Sequence, residues 1–283
     1  MFFVISGYVT NSLRQNSLSI LKFSYEKFKR LIIPFISIII ISSLVDLCVL
    51  DTFSIKNILI DDAKGGYWFI FVLFVFNIIL CFQRKVISQF NINSLFTKCL
   101  ILSFPWMIFV LLCSYLSENI VGLLSLSSCR RYYLFFILGY LSKSYNILVY
   151  IKQSRTLRCI LIMGYILLSF IFVCYIKDID TNIDFAIWFV TNIFGSFFWI
   201  STLIWLEGEI NFSPFLLKIG QNSLGIYLYH YFLLLFLPLM SLEINKYLFL
   251  FSSTTIILVG TYYFVSIINK NSWFSKYLLG NSK

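Results

Sequence analysis

Long apolar runs separated by short polar loops repeat along the whole chain. A helix needs about 20 apolar residues to cross the hydrocarbon core of a membrane. Two weaker runs are Tyr132–Ser142, which needs residues from one flank, and Met1–Leu13, which has the character of the end of a span. The clear runs are Leu31–Leu50, Gly66–Phe82, Cys99–Leu116, Cys159–Ile176, Phe185–Leu206, Asn222–Leu242 and Tyr247–Asn269. The pattern predicts an all-α, polytopic transmembrane helical bundle with about nine spans and no soluble domain.

The composition excludes a water-soluble fold. Hydrophobic residues make up 60% of the 283 residues and charged residues only 12%, against about 25% charged residues in a typical soluble domain. A soluble fold could not cover so much apolar surface. The composition therefore supports the membrane bundle that the pattern predicts.

The basic residues are unevenly divided between the two sides of the predicted bundle. The net charge is +10, and most lysines and arginines fall in the loops after the first, third, fifth and seventh spans and in the C-terminal tail. The positive-inside rule places this side in the cytoplasm and explains the charge without a nucleic-acid partner. Met1 then begins outside the membrane at a half-length span, so we expect a preceding helix to be absent from this sequence and the complete bundle to have ten.

Metal and redox chemistry find no support in the sequence. The seven cysteines form no CxxC pair, and most lie inside apolar runs, as is typical of small buried hydrophobic residues. The chain has a single histidine, which excludes a histidine-rich zinc or iron centre. We expect no bound metal or cofactor.

Two acidic or imidazole groups interrupt the predicted spans, where ionisable groups cost free energy and usually face a polar interior or a site. His230 lies near mid-membrane and can serve as a general base near neutral pH; alternatively, it bonds a neighbouring carbonyl or tyrosine and only fixes packing. Asp46 lies near the outer end of its span, where a carboxylate can simply reach the interface.

Three polar clusters are further candidates for a site. Ser6-Gly7 breaks the first span, and glycine permits close backbone approach. The basic cluster Lys27–Arg30 at the inner surface can pair with phosphates of a nucleotide-bearing cofactor, or can be ordinary positive-inside anchoring to anionic lipid. Arg130–Arg131 lies on the outer face, where the charge rule disfavours basic residues; this favours binding of an anionic or polar glycan.

Six segments, in order along the chain, resemble signatures of the membrane-bound acyltransferase 3 family, which modifies bacterial surface polysaccharides and related acceptors. Lys29–Pro34 departs from the fuller form by having Leu-Ile-Ile where an arginine is often repeated. The segments are Phe2–Tyr8 (FFVISGY), Lys29–Pro34 (KRLIIP), Gly66–Phe69 (GYWF), Arg131–Tyr140 (RYYLFFILGY), Ile219–His230 (IGQNSLGIYLYH) and Lys276–Gly280 (KYLLG). The family resemblance therefore covers nearly the whole chain.

The resemblance implies a single acyltransferase-3-like transmembrane domain over residues 1–283, located in the bacterial inner membrane. It implies acyl-CoA, with acetyl-CoA as the expected form, as co-substrate, and a hydroxyl of a cell-envelope polysaccharide or lipid-linked saccharide as acceptor. By this resemblance, the donor-binding residues are Ser6, Gly7, Lys29 and Arg30, the acceptor-side residues are Trp68 and Arg131, and the catalytic candidate is His230.

The resemblance also implies an arginine and a histidine in a helix ahead of the FFVISGY segment, and this sequence contains neither. The domain is therefore expected to be N-terminally truncated, and His230 matches only a later family histidine. Two alternatives stay open: a non-catalytic glycan transporter or flippase, and an inactive remnant of the acyltransferase.

Overall fold

The structure is a computed structural model that describes residues 1–10, 20–50, 55–175, 182–209, 214–234 and 246–280. Within these ranges the secondary structure is helical, and no strand occurs. The helices are α1 (Phe2–Thr10), α2 (Ile20–Lys27), α3 (Ile33–Leu50), α4 (Ile55–Ile60), α5 (Trp68–Gln89), α6 (Leu95–Tyr115), α7 (Glu118–Leu123), α8 (Leu126–Ser144), α9 (Ile147–Gln153), α10 (Arg155–Tyr175), α11 (Asn182–Glu209), α12 (Pro214–Gln221), α13 (Ser223–Leu234), α14 (Lys246–Ile268) and α15 (Ser272–Leu279). The all-α prediction is confirmed for this part of the chain.

Four described helices, α5, α6, α10 and α11, are long and apolar enough to cross a membrane. A fifth crossing is added if α8 and α9 act as one broken span, and Ser252–Ile268 within α14 is apolar but shorter. Residues 235–242, which end one predicted run, lie outside the described residues. A membrane-spanning helical protein is thus supported, whereas the number of nine spans stays a prediction.

The short run Tyr132–Ser142 gains its length from its N-terminal flank. The helix α8 begins at Leu126 and therefore includes both Arg130 and Arg131. At its other end the chain bends by 70° into α9, and Asn146 adopts a left-handed conformation at the bend (φ 52°). Asparagine is one of the few residues that adopt this conformation readily, which explains the position of the break.

The chain divides into two compact units. The first contains Met1–Ser17 and Arg131–Phe212, and the second contains Leu18–Arg130 and Ser213–Lys283. The boundary falls inside α8, between Arg130 and Arg131, so each unit holds segments that are distant in sequence.

In the first unit, α1 and α8 approach each other through glycines. A Cβ on Gly7 would overlap the carbonyl oxygen of Phe136, and a Cβ on Gly139 would overlap that of Val4. Small residues that permit close backbone approach are typical of helix contacts in membranes. The glycines of the FFVISGY and RYYLFFILGY segments therefore have a packing role.

In the second unit, one apolar core joins α3, α5, α13, α14, α15 and the turn before α3. The cluster includes large side chains that are almost fully buried. Its members are Leu31, Phe35, Ile38, Ile39, Tyr67, Ile70, Leu228, Tyr229, Val265, Ile268 and Leu279. Four of the six motif segments noted in the sequence contribute to this core, so residues far apart in the chain are held together.

A proline in α6 explains a polar contact between α5 and α6. Pro105 lies inside α6 and has no N–H to donate to the carbonyl of Ile101, four residues earlier. The buried side chain of Gln83 on α5 supplies the missing donor: its Nε2 lies 2.6 Å from the Ile101 oxygen and 3.3 Å from that of Leu102. Where water is absent, such a carbonyl has to be satisfied by the protein itself.

We predict that Gln83→Leu lowers the free energy of unfolding by about 1–3 kcal/mol, because it leaves a buried carbonyl without a donor. Pro105→Ala restores a backbone N–H at the right place, so Gln83→Leu should cost less in that background. Thermal unfolding of the four detergent-solubilised proteins of this double-mutant cycle measures the coupling. Ser103→Ala, which removes a hydroxyl from the same helix, serves as control, and equal costs in both backgrounds would contradict the assignment.

Candidate functional site

The imidazole of His230 is oriented by its own helix, α13. Its Nδ1 lies 2.6 Å from the carbonyl oxygen of Tyr227. A carbonyl oxygen can only accept, so Nδ1 carries the proton in this contact, and Nε2 of the neutral ring then carries the lone pair. The side chain is half-buried. The helix therefore presents His230 in the tautomer in which Nε2 can accept a proton.

Tyr227 connects this histidine to the GYWF segment. Its hydroxyl donates to the carbonyl oxygen of Gly66 at 2.7 Å, its ring packs edge-on against Phe69 at 5.4 Å, and the same ring lies 5.6 Å from that of His230. The half-buried Trp68 packs edge-on against Phe69. The structure thus brings together His230 and Trp68, two residues that the sequence pointed to separately, in one neighbourhood of the second unit.

The sequence did not identify Lys64 as important, yet it is the most completely buried charged side chain among the described residues, 1% exposed. Its ammonium lies 2.8 Å from the carbonyl oxygen of Leu59, 2.9 Å from that of Gly122 and 3.0 Å from that of Leu123. An ammonium has three N–H donors, and three carbonyls face it at good distance. Lys64 therefore ties the loop before α5 to the end of α7.

The surroundings of Lys64 strengthen the same connection. Burial lowers the pKa of Lys64, while the negative charges of Asp62 and Asp61 oppose this shift. One carboxylate oxygen of Asp62 accepts a hydrogen bond from Ser128 at 2.9 Å, and the backbone carbonyl of Asp62 accepts one from Ser125 at 3.2 Å. The loop that precedes Trp68 is thereby fixed to the start of α8.

Lys64 begins a tight turn with unusual backbone geometry. Lys64, Gly65 and Gly66 all have positive φ angles, of 48°, 58° and 93°. Glycine adopts such angles at no steric cost, but lysine does not. The strained lysine is held by its three carbonyl partners, and the turn directs the Gly66 carbonyl to Tyr227.

The predicted donor-binding pair Lys29 and Arg30 lies in a π-helical turn, Phe28–Ile32, directly before α3. The N–H of Ile33 bonds to the carbonyl of Phe28, five residues earlier. Pro34 could not donate to Arg30 in an α-helix, because it has no N–H. Both basic side chains are exposed, and π-helical turns are frequent at functional sites.

The KYLLG segment packs against this turn. Gly280 has a left-handed conformation (φ 68°), and a Cβ there would overlap the carbonyl oxygen of Arg30. Lys276 in the same segment and Lys29 both lower the pKa of Tyr25, with Lys29 as the main cause through a hydrogen bond. Lys29 also lies over the Tyr25 ring at 4.1 Å. The second unit therefore gathers Lys29, Arg30 and Lys276 at one surface.

The remaining predicted residues lie in the first unit. Ser6 is half-buried on α1, and Gly7 is buried against α8. Tyr8, the next residue, accepts from Lys143 at 3.5 Å. Arg131 is exposed on α8. The structure places Ser6 and Gly7 in one unit and Lys29 and Arg30 in the other, so their joint role in donor binding stays a prediction.

Two other predictions from the sequence can be compared with the structure only in part. The side chain of Asp46 lies outside the described part of the chain. In the described ranges, no group of three His, Cys, Asp or Glu side chains could hold a metal ion; independence from metals stays a prediction.

Comparison with protein families decides the classification. The model of the acyltransferase 3 family, described as an acyltransferase domain, matches residues 1–269. The chain belongs to the acyltransferase 3 family. No curated protein and no solved structure matches it.

Membership of the acyltransferase 3 family confirms the resemblance seen in the six segments. Together with the apolar helices, it makes this protein a multi-pass membrane acyltransferase in general terms. The geometry adds two residues that the sequence did not single out, Tyr227 and Lys64. Tyr227 was part of a motif without an assigned role, and the only sequence signal for Lys64 is a lysine beside a Gly-Gly turn.

We predict that Lys64→Met destabilises this acyltransferase 3 protein by about 3 kcal/mol, because one buried and two partly buried carbonyls lose their donor. Lys85→Met, which removes an exposed lysine of α5, should have little effect. Thermal unfolding in detergent measures both. Equal unfolding midpoints for the two variants would show that the Lys64 contacts contribute little to the folded state.

Proposed function

We propose that this protein is a membrane O-acyltransferase that transfers an acetyl group from acetyl-CoA to a hydroxyl of a cell-envelope polysaccharide or lipid-linked saccharide. Its place is the bacterial inner membrane, with the C-terminus in the cytoplasm. The observation that carries the proposal is the arrangement of His230 in a chain of the acyltransferase 3 family: its Nδ1–H is held by the Tyr227 carbonyl, so that Nε2 can act as a base.

The reaction that suits this arrangement is direct acyl transfer. The acceptor hydroxyl oxygen attacks the thioester carbonyl, its proton passes to a base, the new C–O ester bond forms and the C–S bond breaks. The departing thiolate of CoA takes up a proton. His230 orients or deprotonates the reacting hydroxyl. Trp68, three ring contacts away through Phe69 and Tyr227, contributes to the acceptor side. Arg131 is a second acceptor-side candidate.

The donor's phosphates suit the exposed basic surface formed by Lys29, Arg30 and Lys276. Arginine binds phosphate with two parallel hydrogen bonds and lysine as a point charge. The π-helical turn presents Lys29 and Arg30 side by side on an exposed surface. Ser6 and Gly7, which the motif resemblance also assigns to the donor, stay predictions from the sequence. The protein holds no resident cofactor in this proposal; acyl-CoA is a co-substrate.

We predict that deletion of the gene lowers ester-linked acetate on envelope glycan, and that re-expression of the protein restores it. His230→Gln should reduce the restored acetate by about 100-fold, since general-base catalysis contributes about 10²–10⁴-fold to a rate. The measurement is base-labile acetate per glycan, with protein level in the membrane determined alongside.

Tyr227→Phe provides a graded comparison, because it removes the hydroxyl bond to Gly66 and keeps the carbonyl that orients His230. It should reduce transfer less than His230→Gln does. Unchanged acetate with reduced glycan export in the deletion strain would favour a transporter and refute the proposal. Full acetate transfer by His230→Gln would refute only the role proposed for His230 and would leave the proposed acyl transfer in place.

Lys27 adds a pH dependence to the proposed donor site. Burial lowers the pKa of Lys27 to about 8; repulsion from Arg30 acts in the same direction, and Glu26 opposes it. Lys27 therefore loses its charge as the pH rises through about 8, whereas an ordinary lysine keeps it to about 10.4. Phosphate groups, with a second pKa of about 6, are fully charged throughout this range.

We predict that the affinity for CoA falls between pH 7 and pH 9, and that Lys27→Arg abolishes this fall because arginine stays charged. Equilibrium binding of CoA to the purified protein across this range measures the effect. Lys22→Arg, on the same helix α2, should leave the fall unchanged. A pH profile that is identical in the wild-type protein and Lys27→Arg would show that Lys27 does not contribute.

A further inference from the structure

A cavity of about 380 Å³ lies between α10 and α11 in the first unit. Ligand pockets generally have volumes of about 300–1,000 Å³. Tyr165 and Ser169 of α10 and Asn192, Ser196 and Trp199 of α11 line it, and Met1 also borders it. Both helices are among those apolar enough to cross a membrane, and these residues lie near the middle of α11 and in the second half of α10. The cavity therefore has both polar and apolar walls, and it lies between two helices that are apolar enough to span a membrane.

The spacing of residues along both helices explains the cavity. Asn192, Ser196 and Trp199 recur at positions i, i+4 and i+7 and share one face of α11. On α10, Tyr165 and Ser169 are likewise four residues apart. Ser169 and Ser196 on these two helix faces are small and leave room between the helices, whereas larger residues would fill it.

Two polar side chains in the cavity use a donor within their own helix and keep acceptor positions. The side-chain amide of Asn192 donates to the carbonyl of Trp188 at 2.8 Å, so its donor is partly used while its oxygen retains two acceptor positions. Thr191, another lining residue, donates its hydroxyl proton to the Ile187 carbonyl at 2.7 Å. Its oxygen likewise remains able to accept.

Ser196 is the clearest sign of a ligand. It is 3% exposed, and its Oγ has no hydrogen-bond partner among the described residues. A buried polar group without a partner costs about 1–3 kcal/mol, and alanine at this position would avoid that cost. A bound molecule with hydroxyl groups would satisfy Ser196, Thr191 and Asn192 together.

The walls also indicate the kind of molecule. Tyr165 and Trp199 offer aromatic surface, and no acidic or basic side chain is among the described residues that line the cavity. These uncharged side chains suit a ligand that has several hydroxyl groups and an apolar face. We propose that the cavity binds a saccharide unit and, resting on the proposed function, that this unit belongs to the acyl acceptor.

Photo-crosslinking of the full chain in nanodiscs tests binding without requiring acyl transfer. The probe is octyl glucoside with a diazirine in its alkyl chain, and the comparison probe carries the same chain on a sulfobetaine headgroup. Mass spectrometry should locate glucoside labelling on α10 and α11 around the cavity. Competition by methyl glucoside tests recognition of a free sugar, and competition by vesicles containing glucosyl diacylglycerol tests a lipid-borne one.

Ser196→Ala should reduce glucoside labelling by about 3- to 10-fold, which corresponds to about 0.7–1.4 kcal/mol, the size of one hydrogen bond. Ser201→Ala is the matched control. Ser201 lies on the same helix and is 5% exposed, but its hydroxyl already donates to the Phe198 carbonyl at 2.8 Å. This control should label like the wild-type protein.

Equal labelling by both probes, no labelling of α10 or α11, or unchanged labelling of Ser196→Ala would overturn the saccharide site. Where transfer is measurable, Ser196→Ala should raise the KM for the acceptor and leave the affinity for CoA unchanged. Glucoside labelling in a protein without transfer activity would refute the proposed function and keep the cavity assignment. If Ser196→Ala loses glucoside labelling but keeps a normal KM for the acceptor, only the link between the cavity and the acyl acceptor would be refuted.

Discussion

The satisfaction of backbone carbonyl oxygens by side chains from elsewhere in the chain is the constraint on which the second unit depends. In a hydrocarbon environment there is no water to bond a carbonyl that a proline, a turn or a helix end has left unpaired. In each case a long side chain supplies the missing donor. Gln83 donates to the Ile101 carbonyl, Lys64 to a carbonyl at the end of α7, and Tyr227 to the Gly66 carbonyl. The contacts of Lys64 and Tyr227 also connect segments that are far apart in sequence, so the side chains that satisfy these carbonyls help to set the tertiary arrangement around His230.

The sequence predicted the features that depend on hydropathy and missed those that depend on partners. Apolar runs located α5, α6, α10 and α11, because a span needs about 20 apolar residues regardless of its neighbours. The hydrogen bond from Gln83 to the Ile101 carbonyl, which Pro105 leaves without a donor, depends on the adjacent helix. It therefore leaves no periodic signal in the sequence. The burial of Lys64 was missed, because it results from three carbonyls that only the folded chain supplies.

The candidate site was predictable to a similar extent. The motif resemblance pointed to His230 and Trp68, and the structure brings them near each other through Tyr227 and Phe69. The cavity beside Ser196 was missed, because serine, threonine and asparagine are uncharged and do not stand out within an apolar run. Gly7 shows the opposite case: the motif suggested a ligand contact, and its backbone is already in contact with α8.

The π-helical turn at Phe28–Ile32 contains one residue more than an α-helical path of the same height would use. Each residue rotates a helix by about 100°, so deleting a single codon here would turn Lys29 and Arg30 to another side while leaving the apolar core of α3 in place. Inserting one elsewhere in α3 would instead rotate that core out of register. The turn is therefore a place where length variation between related genes can redirect a charged surface without unfolding the bundle.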